Sequence, residues 1–78
     1  MAATVGRKIK EARYAAGLTQ VQLCEIADVS QGYLSQIESG ARRPSLDALK
    51  KLSDALAVSD DTFLRWVDLA TAKRKAAA

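Results

Sequence analysis

A chain of 78 residues holds one folded unit, and at this size it buries only a modest core. Hydrophobic residues make up 49% but aromatic residues only 5%, so the core is expected to be aliphatic, and the abundance of Ala, Leu, Lys, Arg, Gln and Glu favours helix over strand. One cysteine and no histidine exclude an internal disulfide framework and leave zinc without a ligand set, a net charge of +3 is only mildly basic, and no apolar run approaches the ~20 residues of a membrane span.

The first helix is expected to start after Thr4, an N-cap type, with Val5, Ile9, Ala12 and Ala16 along one apolar stripe and Gly17 as its stop. Thr19 and Gln22 read as a capping box, followed by Leu23, Ile26 and Ala27 as the inner face of a short second helix. Asp28 and Val29 break that helix. Ser30 caps a third, with Tyr33, Leu34 and Ile37 turned inward or half inward and Ser39-Gly40 as its end. Pro44 keeps Arg43 out of helical geometry, and Ser45 caps a fourth helix whose stripe is Leu46, Leu49, Leu52 and Leu56. Ser59 caps a last helix with Asp60 and Asp61 in its first turn, favourable against the helix dipole, and with Phe63, Leu64, Val67 and Ala70 as its stripe and Trp66 beside it. The expectation is a single all-α domain of five helices over residues 1–78, with a core at about 5–70 and a frayed tail at 71–78.

The first residues, Met-Ala-Ala-Thr-Val, run into charge without an apolar signal region, and with one cysteine a reduced, cytoplasmic setting is expected. Basic residues flank a centre without them: 18–40 carry no Lys or Arg, whereas Arg7, Lys8, Lys10 and Arg13 precede it and Arg42, Arg43, Lys50 and Lys51 follow. The turn Ala27-Asp28-Val29-Ser30 is too short for antiparallel helices and fits a steeply crossed helix-turn-helix pair. Asp28 tolerates the left-handed geometry such a turn needs, and Cys24 is a small residue where the two helices meet.

The runs Val5-Gly6-Arg7-Lys8-Ile9-Lys10, Gly17-Leu18-Thr19-Gln20-Val21-Gln22-Leu23, Val29-Ser30-Gln31, Leu34-Ser35-Gln36-Ile37-Glu38-Ser39-Gly40 and Arg43-Pro44-Ser45-Leu46 resemble the Cro/repressor type of helix-turn-helix, the XRE family. The resemblance covers residues 5 to about 64, with Asp28 in place of the common turn glycine and Cys24 in place of the common alanine. It implies a lambda-repressor-like fold and a bacterial or phage transcriptional regulator, a repressor or autoregulating controller acting on nucleoid DNA. The third helix would then enter the major groove and present Gln31, Gly32, Tyr33, Ser35 and Gln36 to base edges, and Gln20 would resemble the family's phosphate-anchoring glutamine. It also implies an ion pair of Arg13 with Glu38 that positions the third helix.

The residue chemistry agrees. A Gln amide sets donor beside acceptor, matching adenine N6 and N7, whereas a merely solvated face would mix Lys with Glu. With no basic residue on the reading segment, phosphate contacts are expected from Arg42, Arg43 and the helix start at Ser45, with Lys8 and Lys50 as weaker candidates. So few contacts per chain imply a homodimer on a palindromic double-stranded operator, joined through Leu64, Trp66, Val67 and Leu69 of the last helix. The alternative is a protein-interaction module, such as an antitoxin whose last helix grips a foreign partner. No enzyme, cofactor, metal, membrane or small-molecule effector is expected, and Cys24 reads as a buried inert thiol rather than a redox switch.

Overall fold

Five hydroxyl side chains set the five helix starts. The computed structural model of the chain describes the backbone of residues 4–77 and the side chains of residues 4–71. Thr4, Thr19, Ser30, Ser45 and Ser59 accept at 3.1–3.2 Å from the backbone N–H groups of Arg7, Gln22, Tyr33, Ala48 and Thr62. They open α1 (Val5–Ala15), α2 (Gln20–Ala27), α3 (Gln31–Ser39), α4 (Leu46–Ala55) and α5 (Asp60–Ala77). Each cap satisfies an N–H that lacks an intrahelical acceptor, worth about 1 kcal/mol. At α2 the expected capping box closes both ways, because Thr19 N–H donates in return to Gln22 Oε1 at 2.9 Å.

The helix ends are equally local. Asp28 adopts the left-handed conformation at φ 59°, and Val29 N–H closes the end of α2 on the Cys24 carbonyl at 3.1 Å. The α4–α5 turn does the same at Ala57, φ 55°, a conformation that costs an alanine about 1 kcal/mol. Nothing in the sequence marks that position, since alanine is not a turn residue.

α1 packs on α3 and α5, α2 on α3 and α4, and α4 on α5, around a core centred on the fully buried Ile9, Leu23, Leu34, Ile37, Leu49 and Leu52. The core is aliphatic apart from Trp66. α1 reaches α3 through Gly6, where a Cβ would overlap the carbonyl oxygen of Ile37. Four residues placed on the expected apolar stripes stand exposed instead: Ala16, the cap residue just past α1, Leu64 on α5, and Ile26 and Leu46. Ile26 is 59% exposed because Leu23, Cys24 and Ala27 form the buried stripe of α2 and it falls on the flank. Leu46 is 64% exposed because it is the first residue of α4, ahead of the stripe formed by Ala48, Leu49, Leu52 and Ser53. The frayed tail expected at 71–78 lies, Thr71 apart, outside the described side chains.

Candidate nucleic-acid interface

The third helix is fixed at its C-terminal end by a buried charge pair. Arg13 donates from Nε to Glu38 Oε2 at 2.8 Å and from a terminal nitrogen to Oε1 at 3.0 Å. Its other terminal nitrogen donates to the Leu18 carbonyl at 2.9 Å, and the Tyr14 ring lies 4.6 Å from its guanidinium carbon. The hydrogen bonds to Glu38 raise the Arg13 pKa above its ordinary value against the opposing effect of burial, so the guanidinium stays charged. A two-toothed, charge-assisted contact of this kind sets orientation as well as distance. It ties the middle of the molecule, α1 and the Leu18 turn, to the last turn of α3.

Gln31, Gly32, Ser35 and Gln36 all stand exposed on α3, and Tyr33 is half-buried at its margin. This face carries no charge. Gly40, at φ 87°, turns the chain back so that the following loop lies beside the helix. Arg42 there donates from Nε to Gln36 Oε1 at 2.9 Å, and its guanidinium carbon sits 5.7 Å from the centre of the Tyr33 ring. The Tyr33 hydroxyl accepts from Ser45 N–H at 3.0 Å. Reading face and basic loop are therefore joined by hydrogen bonds, and Arg43 stands exposed in the same loop.

A family comparison matches residues 9–63 to the helix-turn-helix family. The chain belongs to that family. This helix-turn-helix domain is similar to the immunity repressor protein of Bacillus phage phi105, 46% identical over 55 residues that cover 70% of this chain and 38% of that protein. It is similar to the control protein C.BamHI of Bacillus amyloliquefaciens, 31% identical over 71 residues, 90% of this chain and 88% of that protein. Among solved structures it resembles the master regulator for biofilm formation SinR in complex with DNA, with a TM-score of 0.72 and 39% identity, covering 78% of this chain and 98% of that one. The five-helix, XRE-type fold expected from the sequence stands. The chain spans less than half the length of the phage repressor and near-complete length of the control protein.

Several residues of the helix-turn-helix domain differ from their expected roles. Gln20, expected at a phosphate, donates its amide to Glu38 Oε1 at 3.0 Å and so belongs to the Arg13 network, leaving one amide hydrogen and the carbonyl for any other contact. Ser45 N–H meets the Tyr33 hydroxyl and its own hydroxyl accepts from Ala48 N–H, so only the hydroxyl hydrogen is left to donate; among the described residues the N–H groups of Leu46 and Asp47 have no partner at that helix start. Lys50 pairs with Asp54 at 3.0 Å and lies over Phe63, so it is held on its own helix. Trp66 is corrected from contact surface to core: only 4% exposed, it belongs to the buried cluster, on the helix that packs against α1 and α4. Leu69 is half-buried and lines a surface cleft with Gly6 and Ile37. Cys24 is buried and burial pushes its thiol pKa up, which leaves it protonated and unreactive.

Sequence reasoning missed the Gln36–Arg42 and Tyr33–Ser45 contacts. Both cross the Gly40 turn, where helical spacing rules stop applying. Gly6 carried a readable signal: a glycine inside a helical stripe costs about 1 kcal/mol against alanine, which implies a packing reason.

Proposed function

We propose that this domain regulates transcription in the cytoplasm by binding a palindromic double-stranded operator as a homodimer, with α3 in the major groove of each half-site, as a repressor or autoregulating controller. The observation that carries the reading is the exposed, uncharged face of Gln31, Gly32, Ser35 and Gln36 joined through Gln36 to Arg42, with Arg43 exposed in the same loop. Neutral amides and hydroxyls distinguish base edges, while arginines supply the sequence-independent hold on phosphate. The same division of labour fits the related proteins named as repressor, control protein and SinR in complex with DNA.

Two loop arginines and the open N–H groups at the start of α4 give one copy a weak grip, which favours two copies whose recognition helices lie ~34 Å apart. Exposed Leu64 and Leu46, with half-buried Val67 one turn beyond Leu64, are the apolar surface available for an isologous contact through α5. Selection of duplexes from a random pool at fixed salt tests the reading. Enrichment of two inverted half-sites about one helical turn apart is expected, with two chains per duplex. No enrichment over the starting pool overturns it.

A further inference from the structure

We propose that Gln36 and Arg42 act as one reading unit that selects guanine at a single position of each half-site, an assignment that rests on α3 entering the major groove. The argument begins with the orientation of an amide. Arg42 Nε can only donate, so the Gln36 atom 2.9 Å from it has to be the carbonyl oxygen Oε1. The amide NH2 of Gln36, an exposed side chain, has no hydrogen-bond partner among the described residues. The arginine is held from a second side by the Tyr33 ring, 5.7 Å away, and that ring is in turn tied to the loop by the Ser45 N–H bond at 3.0 Å. The two terminal nitrogens of Arg42 have no protein partner among the described residues.

The chemistry of the exposed edge follows. A free glutamine matches adenine because its oxygen accepts from N6 while its nitrogen donates to N7. In Gln36 that oxygen already faces a cation, and an adenine amino group brought to it would also face the guanidinium N–H groups. Guanine presents O6 and N7, two acceptors and no donor, to the same edge. The paired side chains offer donors from Gln36 Nε2 and from the open terminal nitrogens of Arg42, and the one lone pair that Gln36 Oε1 keeps lies beside the guanidinium, which disfavours a second donor there. Gln31 differs: it is exposed with no hydrogen-bond partner among the described residues, so its amide keeps both donor and acceptor. The two glutamines of α3 are thus chemically unlike despite their identity, and Arg42 becomes a specificity residue while the phosphate grip rests more on Arg43.

The test is duplex selection with the unsubstituted chain and with Gln36→Ala, Arg42→Ala and Gln31→Ala, each checked for native helix content. Gln36→Ala is expected to relax one position per half-site that the unsubstituted chain fills with guanine. Arg42→Ala is expected to change that same position toward adenine, because the amide oxygen then has no cation beside it, with guanine preference over adenine falling about tenfold. Gln31→Ala is expected to relax a different position. If Arg42→Ala leaves guanine in place, or if the position sensitive to Gln36 holds another base from the start, the inference is overturned while the DNA-binding reading stands. If the unsubstituted chain enriches no sequence, both are overturned together.

Discussion

Arg13 and Glu38, 25 residues apart in the chain, meet through two hydrogen bonds of 2.8 and 3.0 Å while both side chains are almost wholly buried. Removing Glu38 leaves Arg13 charged in a buried site, and the Gln20 amide loses its partner at the same time. Glu38→Ala is therefore expected to cost about 3–5 kcal/mol in urea unfolding. The exposed Lys50–Asp54 pair, also 3.0 Å, is the control: Asp54→Ala is expected to cost less than about 1 kcal/mol. Equal losses at the two sites would show that burial adds nothing to the Arg13–Glu38 pair.

Gly6 and Gly32 are both helical glycines, and they should respond to alanine in opposite directions. At Gly6 the new methyl meets the Ile37 backbone, which cannot yield without moving α1 off α3. A loss of about 1–3 kcal/mol is expected. At Gly32 no atom lies within 4 Å of the added carbon, so relief of glycine's entropic cost should raise stability by up to about 1 kcal/mol. For a domain this size, a shift of several degrees in Tm, down for Gly6→Ala and up for Gly32→Ala, checks the pair. Gly32→Ala should also weaken operator binding, because the methyl stands on the face proposed to meet the bases.

These cases show what a sequence conveys and where it stops. Helix starts were legible because a cap is a contact between residues three apart, as Thr19 with Gln22 illustrates. The turn at Asp28 was legible because asparagine-like residues tolerate positive φ, whereas the equivalent turn at Ala57 carried no such mark. The uncharged face of α3 could be read from composition and spacing. Its coupling to Arg42 and Ser45 could not, because the path of a loop after a glycine stop depends on what it packs against. Trp66 shows the converse error: a large apolar residue beside a stripe looks like surplus until the space it fills is known.

Cys24 gives the pH dependence. Burial raises its folded-state pKa, so the native thiol holds its proton at pH values where the unfolded thiol, near 9.0, has begun to lose it. The native state then binds more protons than the unfolded one, and stability falls as pH rises above about 9, while below that value this group contributes no slope. Arg13, whose pKa is raised by its hydrogen bonds to Glu38, stays charged and adds no change over the same range. Urea unfolding of the parent and Cys24→Ala between pH 7 and about 10 checks this: the parent should lose stability relative to the variant on the alkaline side. Parallel curves would mean that the thiol is no harder to ionise in the folded chain than in the unfolded one. Slow labelling of the native protein by a thiol reagent at neutral pH is expected on the same ground.

The surface of α5 can be separated from its core by two substitutions only two residues apart. Leu64 is 59% exposed and Trp66 4% exposed, so they cannot serve the same purpose. Trp66→Ala empties part of the core and is expected to cost about 3–5 kcal/mol, unfolding much of the population whatever the oligomeric state. Leu64→Glu leaves the monomer's packing intact. If two chains join through this helix, it places two carboxylates opposite one another across the two-fold axis, where like charges repel in a desolvated contact. Sedimentation equilibrium at micromolar protein should then find the parent dimeric and Leu64→Glu monomeric, with the variant's helix content unchanged. Its operator affinity should fall much further than the affinity of either chain for a single half-site, since only the two-site complex needs the contact. A dimer that survives Leu64→Glu would move the interface off this face of α5.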